Sequence, residues 1–545
     1  MIIRVNNLVK YYQLSSGNKI KALDIEKLEI EKGEVVGLLG KSGSGKTTLL
    51  RILRGVERFD EGTIYVDGIK LTPESEPPAF REVKMRTAIH LQRSFGLWSE
   101  KVVENVIRAL SFVRYGDEIL PAQAEDYEEM KEVAMDLLRL VGLEHKAECW
   151  AEILSGGEKQ RLILARQLAK NPSILILDEF GTMTCNETRK KSIELIKKIN
   201  KELGTTIVFS SHMPEVHKDL ADRVVLLERG RVISEGDANE MVARFLSELE
   251  PPLQRNPKIE DEIVRLENVY KKYYVVPGGK TLEMKDVNIS IRRGEIIGVI
   301  GKSGSGKTVL TRLIAGLELP DSGKVVLKID NEVVDFKEFG RKSINVRKKI
   351  GILHQEFSLP FWAKVSELIA YRIRTKKNEN VENAIKMAKE MGIDEKIFDA
   401  IYRLTDLPKD EAEMRLQRLG LSYQIIKTLF PEGEEDLNSI IPMLERLNLS
   451  TDILERLSHE LSGGEAVRLG IALAAITKPE LLILDEPFGD IDPVTLRKVV
   501  NVLKEINIKN GTTMIIVSHQ IDVLKELADR FLLVEDGRVS FLSSF

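Results

Sequence analysis

The sequence predicts an α/β protein built from two tandem copies of one unit. Each copy should carry a mainly parallel β-sheet core, a β-subdomain and a helical subdomain, with an extra helical insertion in the second. Three observations carry this prediction. The octapeptide GKSGSGKT stands at 40–47 and again at 301–308. The pentapeptide LSGGE stands at 154–158 and 461–465, and an apolar run ending in Asp-Glu appears as ILILDE (174–179) and LLILDE (481–486). A Ser-His pair follows a β-rich run at 211–212 and 518–519, so the whole series recurs in the same order. Ordered recurrence on this scale marks a duplicated unit.

The elements follow from local patterns. EVVGLLG (34–40) precedes the first glycine loop and TTLLRILRGV (47–56) follows it; EIIGVIG (295–301) and TVLTRLIAGL (308–317) do the same in the second copy. Strand, glycine loop, helix is the context that separates a phosphate loop from a chance match. Continuous apolar runs such as ILILD and LLILD suit strands buried on both faces, hence a parallel sheet. Asp178 to His212 and Asp485 to His519 both span 34 positions, whereas Gln92 to Ser155 spans 63 and Gln355 to Ser462 spans 107. The extra length of the second copy therefore falls between its glutamine and its LSGGE. This insertion, at about 376–457, reads as amphipathic helices: VENAIKMAKEMG (381–392), EAEMRLQRLG (411–420) and SIIPMLERLNL (439–449). It is either a docking surface for a partner or a helical cap. The seam ELEPPLQRNPKIEDE (248–262) interrupts the periodic patterns with three prolines and a charge cluster. The expected domains are 1–247, a linker at 248–261, and 262–545.

Composition narrows the class. With 545 residues, 43% apolar and 30% charged, the chain can bury several cores and is not of disordered type. A net charge of -4 supplies no global basic field for nucleic acid. The uncharged stretch 203–214 has 12 residues, short of the ~20 apolar residues that a membrane span needs. The opening MIIRVNNLVKYY lacks the pattern of a signal peptide. Two cysteines, Cys149 and Cys185, cannot build a disulfide framework, a four-cysteine zinc site or an iron–sulfur cluster. The expected location is the cytoplasm.

A GxxxxGK[ST] loop wraps backbone N–H groups around a β-phosphate at a helix N-terminus, and glycines permit the close approach. The candidates are Gly40, Ser42, Gly43, Ser44 and Gly45, with Gly301, Ser303, Gly304, Ser305 and Gly306 in the second copy. Lys46 and Lys307 would reach the β- and γ-phosphates, and the hydroxyls of Thr47 and Thr308 would enter a Mg²⁺ shell. Asp178 and Asp485 end buried strands where a carboxylate can hold Mg²⁺; Glu179 and Glu486 could polarise the attacking water. Gln92 and Gln355 could reach Mg²⁺ or that water. Tyr12 and Tyr273 could stack on adenine, or pack as strand aromatics in a small sheet.

LSGGE between the glycine loop and the Asp-Glu strand resembles the mark of the ABC-type ATPases, and the likeness covers nearly the whole chain. That resemblance implies two ATP molecules with Mg²⁺, sandwiched between the head-to-tail halves of one chain. Ser155, Gly156 and Gly157 would face the γ-phosphate on the second loop, and Ser462, Gly463 and Gly464 that on the first. His212 and His519 would contact the γ-phosphates. The copies differ: Thr48 could touch the α-phosphate where the second copy has Val309, and Cys185 stands where the family usually has Asp, kept as Asp492. Phe180 replaces the usual proline. The site of Lys307 and Ser155 should therefore turn over more slowly than that of Lys46 and Ser462, although Phe180 adjoins the glutamate of the latter.

Some branches of the family fit poorly. A ribosome-recycling member would carry a cysteine-rich cluster domain, a translation-factor member a long charged linker, and an excision-repair member zinc modules. The stretches LQRSFGLWSEKVVENV (91–106), HQEFSLPFWAKVSEL (354–368) and EPFGDIDPVTL (486–496) resemble tandem ATPases of the methyl-coenzyme M reductase activation system of methanogenic archaea. This implies the reductase and its activation proteins as partners. The rival expectation is a fused ATP-binding subunit of an importer, docked on separate membrane permease subunits.

Overall fold

The computed structural model describes residues 1–15, 17–91, 96–181, 186–273, 282–302, 304–330, 332–355, 359–433, 435–489 and 491–542. They divide into two compact units, Met1–Leu249 with Asp492–Val494, and Glu250–Ile491 with Thr495–Phe545.

In the first unit a six-stranded sheet runs in the order Arg231–Gly236, Arg223–Glu228, Val35–Leu39, Thr206–Ser210, Ile174–Asp178, Thr87–Leu91. All neighbours are parallel except the first pair, which closes the edge as a hairpin. Val35–Leu39 and Thr206–Ser210 are buried along their whole length, as a sheet covered on both faces requires. A separate antiparallel sheet takes the order Lys19–Ile30, Ile3–Gln13, Glu61–Val66, Ile69–Leu71. The helices Val102–Tyr115, Ala124–Leu140 and Gly156–Leu168 form the helical part, closing over Val106, Ile107, Leu138 and Leu162. The fold is the expected α/β one.

The second unit repeats this plan. Its main sheet runs Ile350–Leu353, Leu481–Asp485, Thr513–Val517, Ile296–Ile300, Arg530–Glu535, Arg538–Phe541, again with one antiparallel edge. Its added length forms the helices Asn378–Glu390, Glu395–Leu404, Lys409–Arg418, Gln424–Leu429 and Ile441–Arg446. Phe398, Tyr402, Leu416 and Phe430 share one apolar core with Val325, Leu327 and Phe336 of the antiparallel sheet region. Most of the insertion is thereby fastened to the β-subdomain side.

That fastening includes buried charge. Arg347 is 1% exposed, lies 3.5 Å from Asp399 and donates to the carbonyl of Gly316 at 2.7 Å. Arg403 pairs with the same carboxylate at 3.0 Å. Asp406 holds Arg372 at 2.5 Å and Lys376 at 2.8 Å. Such pairs add little net stability against an apolar core, but removing one partner strands a buried charge at a cost of about 3–5 kcal/mol. The segment after Leu249 is also tied down within this unit. Leu253 N–H donates to Asn501 at 3.0 Å, Arg255 donates to Asn507 at 2.9 Å, and Arg255 pairs with Asp529. Among the described residues no helix is long and apolar enough to cross a membrane.

Candidate functional site

Each glycine loop leaves a fully or mostly buried strand and enters a helix, Lys46–Leu53 or Lys307–Ile314. Its shape depends on missing side chains. A Cβ at Gly40 would lie 2.2 Å from the Leu227 carbonyl oxygen, and one at Gly301 2.2 Å from that of Val534. The helix N-caps Gly45 and Gly306 have φ of 98° and 106°, outside the range that side chains tolerate easily. Lys46 Nζ curls back to the carbonyls of Gly40 (2.8 Å) and Lys41 (2.9 Å), and Lys307 Nζ to those of Gly301 and Lys302, both at 2.9 Å. Burial pulls the Lys46 ammonium down to about 8 against the nearby carboxylates of Asp178 and Glu179; burial also lowers Lys307. Lys46 Nζ also donates to Ser44 Oγ at 3.4 Å; a buried ammonium held by neutral oxygens beside a helix N-terminus is a strong anion receptor.

The sheet brings an acidic pair to each loop. Thr47 Oγ1 lies 3.2 Å from Asp178 Oδ1, and Thr308 Oγ1 lies 2.8 Å from Asp485 Oδ2 and 3.1 Å from Gln355 Oε1. Burial raises both aspartates above the usual range. Asp485 Oδ1 is buried with no hydrogen-bond partner among the described residues. Hydroxyl, carboxylate and amide oxygens are the hard donors that Mg²⁺ takes, and the buried, unpartnered carboxylate oxygen fits that role. Among the described residues no group of three or more His, Cys, Asp or Glu forms a self-sufficient metal site.

The residue after each aspartate is strained. Glu179 has φ 56° and Glu486 φ 54°, a left-handed conformation that costs a non-glycine residue about 1–2 kcal/mol. The turn aims each glutamate at its histidine: His212 Nε2 lies 3.7 Å from Glu179 Oε1, and His519 Nε2 lies 3.3 Å from Glu486 Oε1. Burial lifts the Glu486 carboxyl to about 7 and lowers His519. This strain has no signature in an Asp-Glu dipeptide.

Both LSGGE segments open a helix, Gly156–Leu168 and Gly463–Ala475. Ser155 Oγ accepts from the Glu158 amide at 3.4 Å while Glu158 Oε2 accepts from the Ser155 amide at 2.9 Å; Ser462 and Glu465 repeat the pattern at 3.3 and 2.9 Å. This is a capping box, legible as S-x-x-E but passed over in the sequence. It presents Gly156, Gly157 and Gly463, all exposed, at a positive helix end; Gly464 is buried.

The remaining candidates separate. Thr48 and Val309 are half-buried on the loop helices, and Val309 packs on the core. Tyr12 is 37% exposed with Lys10 Nζ 4.9 Å from its ring centre. Tyr273 is half-buried, and burial together with the Glu318 carboxylate raises its hydroxyl above the ordinary value. Ser44, Ser305, Ser42, Gly43 and Gly304 lie in the loops. Gln92, Cys185 and Ser303 lie outside the described residues.

The ABC transporter family pattern matches residues 23–181 and 284–489, which encloses both loops and both acidic strand ends. The chain belongs to the ABC ATPase family. This tandem ABC ATPase is 46% identical over 543 residues to an uncharacterized ABC transporter ATP-binding protein of Methanocaldococcus jannaschii, covering 98% of the chain and 94% of the relative. It is 26% identical to a ribose import ATP-binding protein, RbsA, of Caldanaerobacter subterraneus subsp. tengcongensis, over 96% of this chain and 92% of that one. Its fold is also that of an archaeal ribosome recycling factor, aABCE1, with a TM-score of 0.52 at 19% identity, covering 98% of this chain and 89% of the other. ABC ATPases hydrolyse ATP and normally bind it with Mg²⁺.

Proposed function

We propose that the two units form an ATP-driven conformational motor, binding two ATP at head-to-tail composite sites and passing the resulting movement to a partner complex. The observation that carries this reading is the repeated set of looped lysine, Thr–Asp pair and left-handed glutamate beside a histidine. Lys46 and Lys307, with the loop amides of Gly40, Ser42, Gly43, Ser44, Gly45, Gly301, Ser303, Gly304, Ser305 and Gly306, grip the phosphates. Thr47, Asp178 and Gln92 would hold one Mg²⁺, and Thr308, Asp485 and Gln355 the other, which when bound would neutralise charge on the phosphate oxygens. Glu179 and Glu486 accept the proton of the attacking water. His212 and His519 orient these glutamates and reach the γ-phosphate. Ser155, Gly156 and Gly157 complete the pocket of Lys307 and Val309, while Ser462, Gly463 and Gly464 complete that of Lys46 and Thr48. Tyr12 stacks on adenine, and Tyr273 does so in the second unit. Nucleotide binding clasps the units, and hydrolysis releases them.

The partner reading we favour is the reductive activation of methyl-coenzyme M reductase in the cytoplasm, by likeness to component A2 of that system. The stretches 91–106, 354–368 and 486–496, with the second-unit insertion, support it. A second reading, the ATPase of an importer with separate permease subunits, is favoured by the 26% identity to a ribose import protein over most of the chain. Affinity purification of the full chain from its native cells tests both. Recovery of soluble reductase and iron–sulfur proteins is expected; recovery of integral membrane subunits instead overturns the first reading and supports the second. Absence of ATP hydrolysis by the purified chain with any partner would overturn the motor itself.

A further inference from the structure

The two acidic strand ends are wired differently, and two exchanged residues account for the difference. In the second unit Asp485 pairs in register with Val517, and the Glu486 amide donates to the Val517 carbonyl at 2.9 Å. The next residue, Pro487, has no N–H to donate. In the first unit the position beside the aspartate is Ser210, which is 1% exposed, and the residue after the glutamate is Phe180. The Phe180 amide takes the Ser210 carbonyl at 2.8 Å, so the carbonyl is no longer offered to the glutamate. The Ser210 hydroxyl fills the gap. Its Oγ accepts from the Glu179 amide at 2.9 Å and donates to Asp178 Oδ1 at 2.6 Å. One buried side chain therefore holds the backbone of the glutamate and the carboxylate of the aspartate together. Val517 can do neither, and Asp485 Oδ1 has no hydrogen-bond partner among the described residues.

We propose that Ser210 is a positioning residue of the first-unit site: its one hydroxyl fixes both Asp178 for the metal ion and Glu179 for the water, whereas in the second-unit site the Val517 carbonyl holds the Glu486 amide and the valine side chain offers Asp485 no donor. Ser210 and Phe180 act as a pair, because an amide at 180 claims the carbonyl and only a hydroxyl at 210 can then satisfy the amide of Glu179. A buried donor or acceptor left unpaired is costly, so valine at 210 would release both groups from their common anchor. The geometry stands on these hydrogen bonds alone. Its consequence for the metal rests on the assignment of Asp178 proposed above.

The test uses the full chain carrying Lys307→Ala, in which only the first-unit loop is loaded, with Mn²⁺ as probe. Free Mn²⁺ is followed by electron paramagnetic resonance in the presence of ATP. Ser210→Val should weaken Mn²⁺ binding by about tenfold while metal-free ATP affinity and the unfolding midpoint change little; Ser210→Thr should restore it to within about twofold. Unchanged Mn²⁺ affinity in Ser210→Val, with a marked loss in Asp178→Asn, would overturn the positioning role. Unchanged affinity in Asp178→Asn as well would overturn the metal assignment and with it the inference.

Discussion

At their strand ends the two units use the same residue types under different physical conditions. In the second, burial lifts the Glu486 carboxyl to about 7, Thr308 touches both Asp485 and Gln355, and one aspartate oxygen has no partner among the described residues. In the first, Asp178 is held by two hydroxyls, Thr47 and Ser210, and Glu179 hangs from Ser210 through its amide. Matched motifs at matched spacing thus yield one site whose aspartate is braced by a neighbouring serine and one whose aspartate faces a valine there. Equality of motif is not equality of environment, because the residues that set the environment lie one strand away.

This contrast can be broken in several ways. Glu179→Gln and Glu486→Gln together should lower ATP turnover by about 10²–10⁴-fold, the usual range for losing a general base. Made singly they should be unequal, with Glu179→Gln costing more; equal residual rates in a steady-state assay would dissolve the asymmetry. Next in size are the loop lysines. Lys46→Ala and Lys307→Ala should each weaken nucleotide at one site by about 10- to 100-fold, read as loss of one of two ATP equivalents by equilibrium dialysis.

A pH series on nucleotide-free protein sharpens the same comparison. Between about 4.5 and about 7 an unfolded chain ionises its glutamate while folded Glu486 keeps its proton, so the unfolded state binds fewer protons and stability falls as pH rises. Glu486→Gln should flatten that slope in the unfolding midpoint; an unaltered slope would show that the glutamate is not buried in this way. The smallest effect concerns the caps. Ser155→Ala and Ser462→Ala should each cost about 1 kcal/mol by chemical denaturation, and a null result at either would remove its capping box.

Much of this was legible in the sequence. Repetition of the loop, LSGGE and the Asp-Glu strand specified two α/β units, since each motif sits on an element whose period and apolar content are strong local signals. The insertion helices were legible from their amphipathic spacing. What they cover was not: that Phe398 and Tyr402 share a core with Val325 and Leu327 depends on contacts between distant segments. The left-handed turn at Glu179 and Glu486 was equally hidden, because a chain prefers another conformation there and only the surrounding sheet imposes this one. Ser210 escaped notice for a simpler reason. A serine ending a β-rich run looks like any other until the proton count of residue 180 is set beside that of Pro487.

The twist at Glu179 and Glu486 sets a trap for protein engineers. Glycine or asparagine at either place would relax the backbone, so a selection for heat resistance alone would favour them. On the function proposed above, the winners of such a screen would be sturdier and idle.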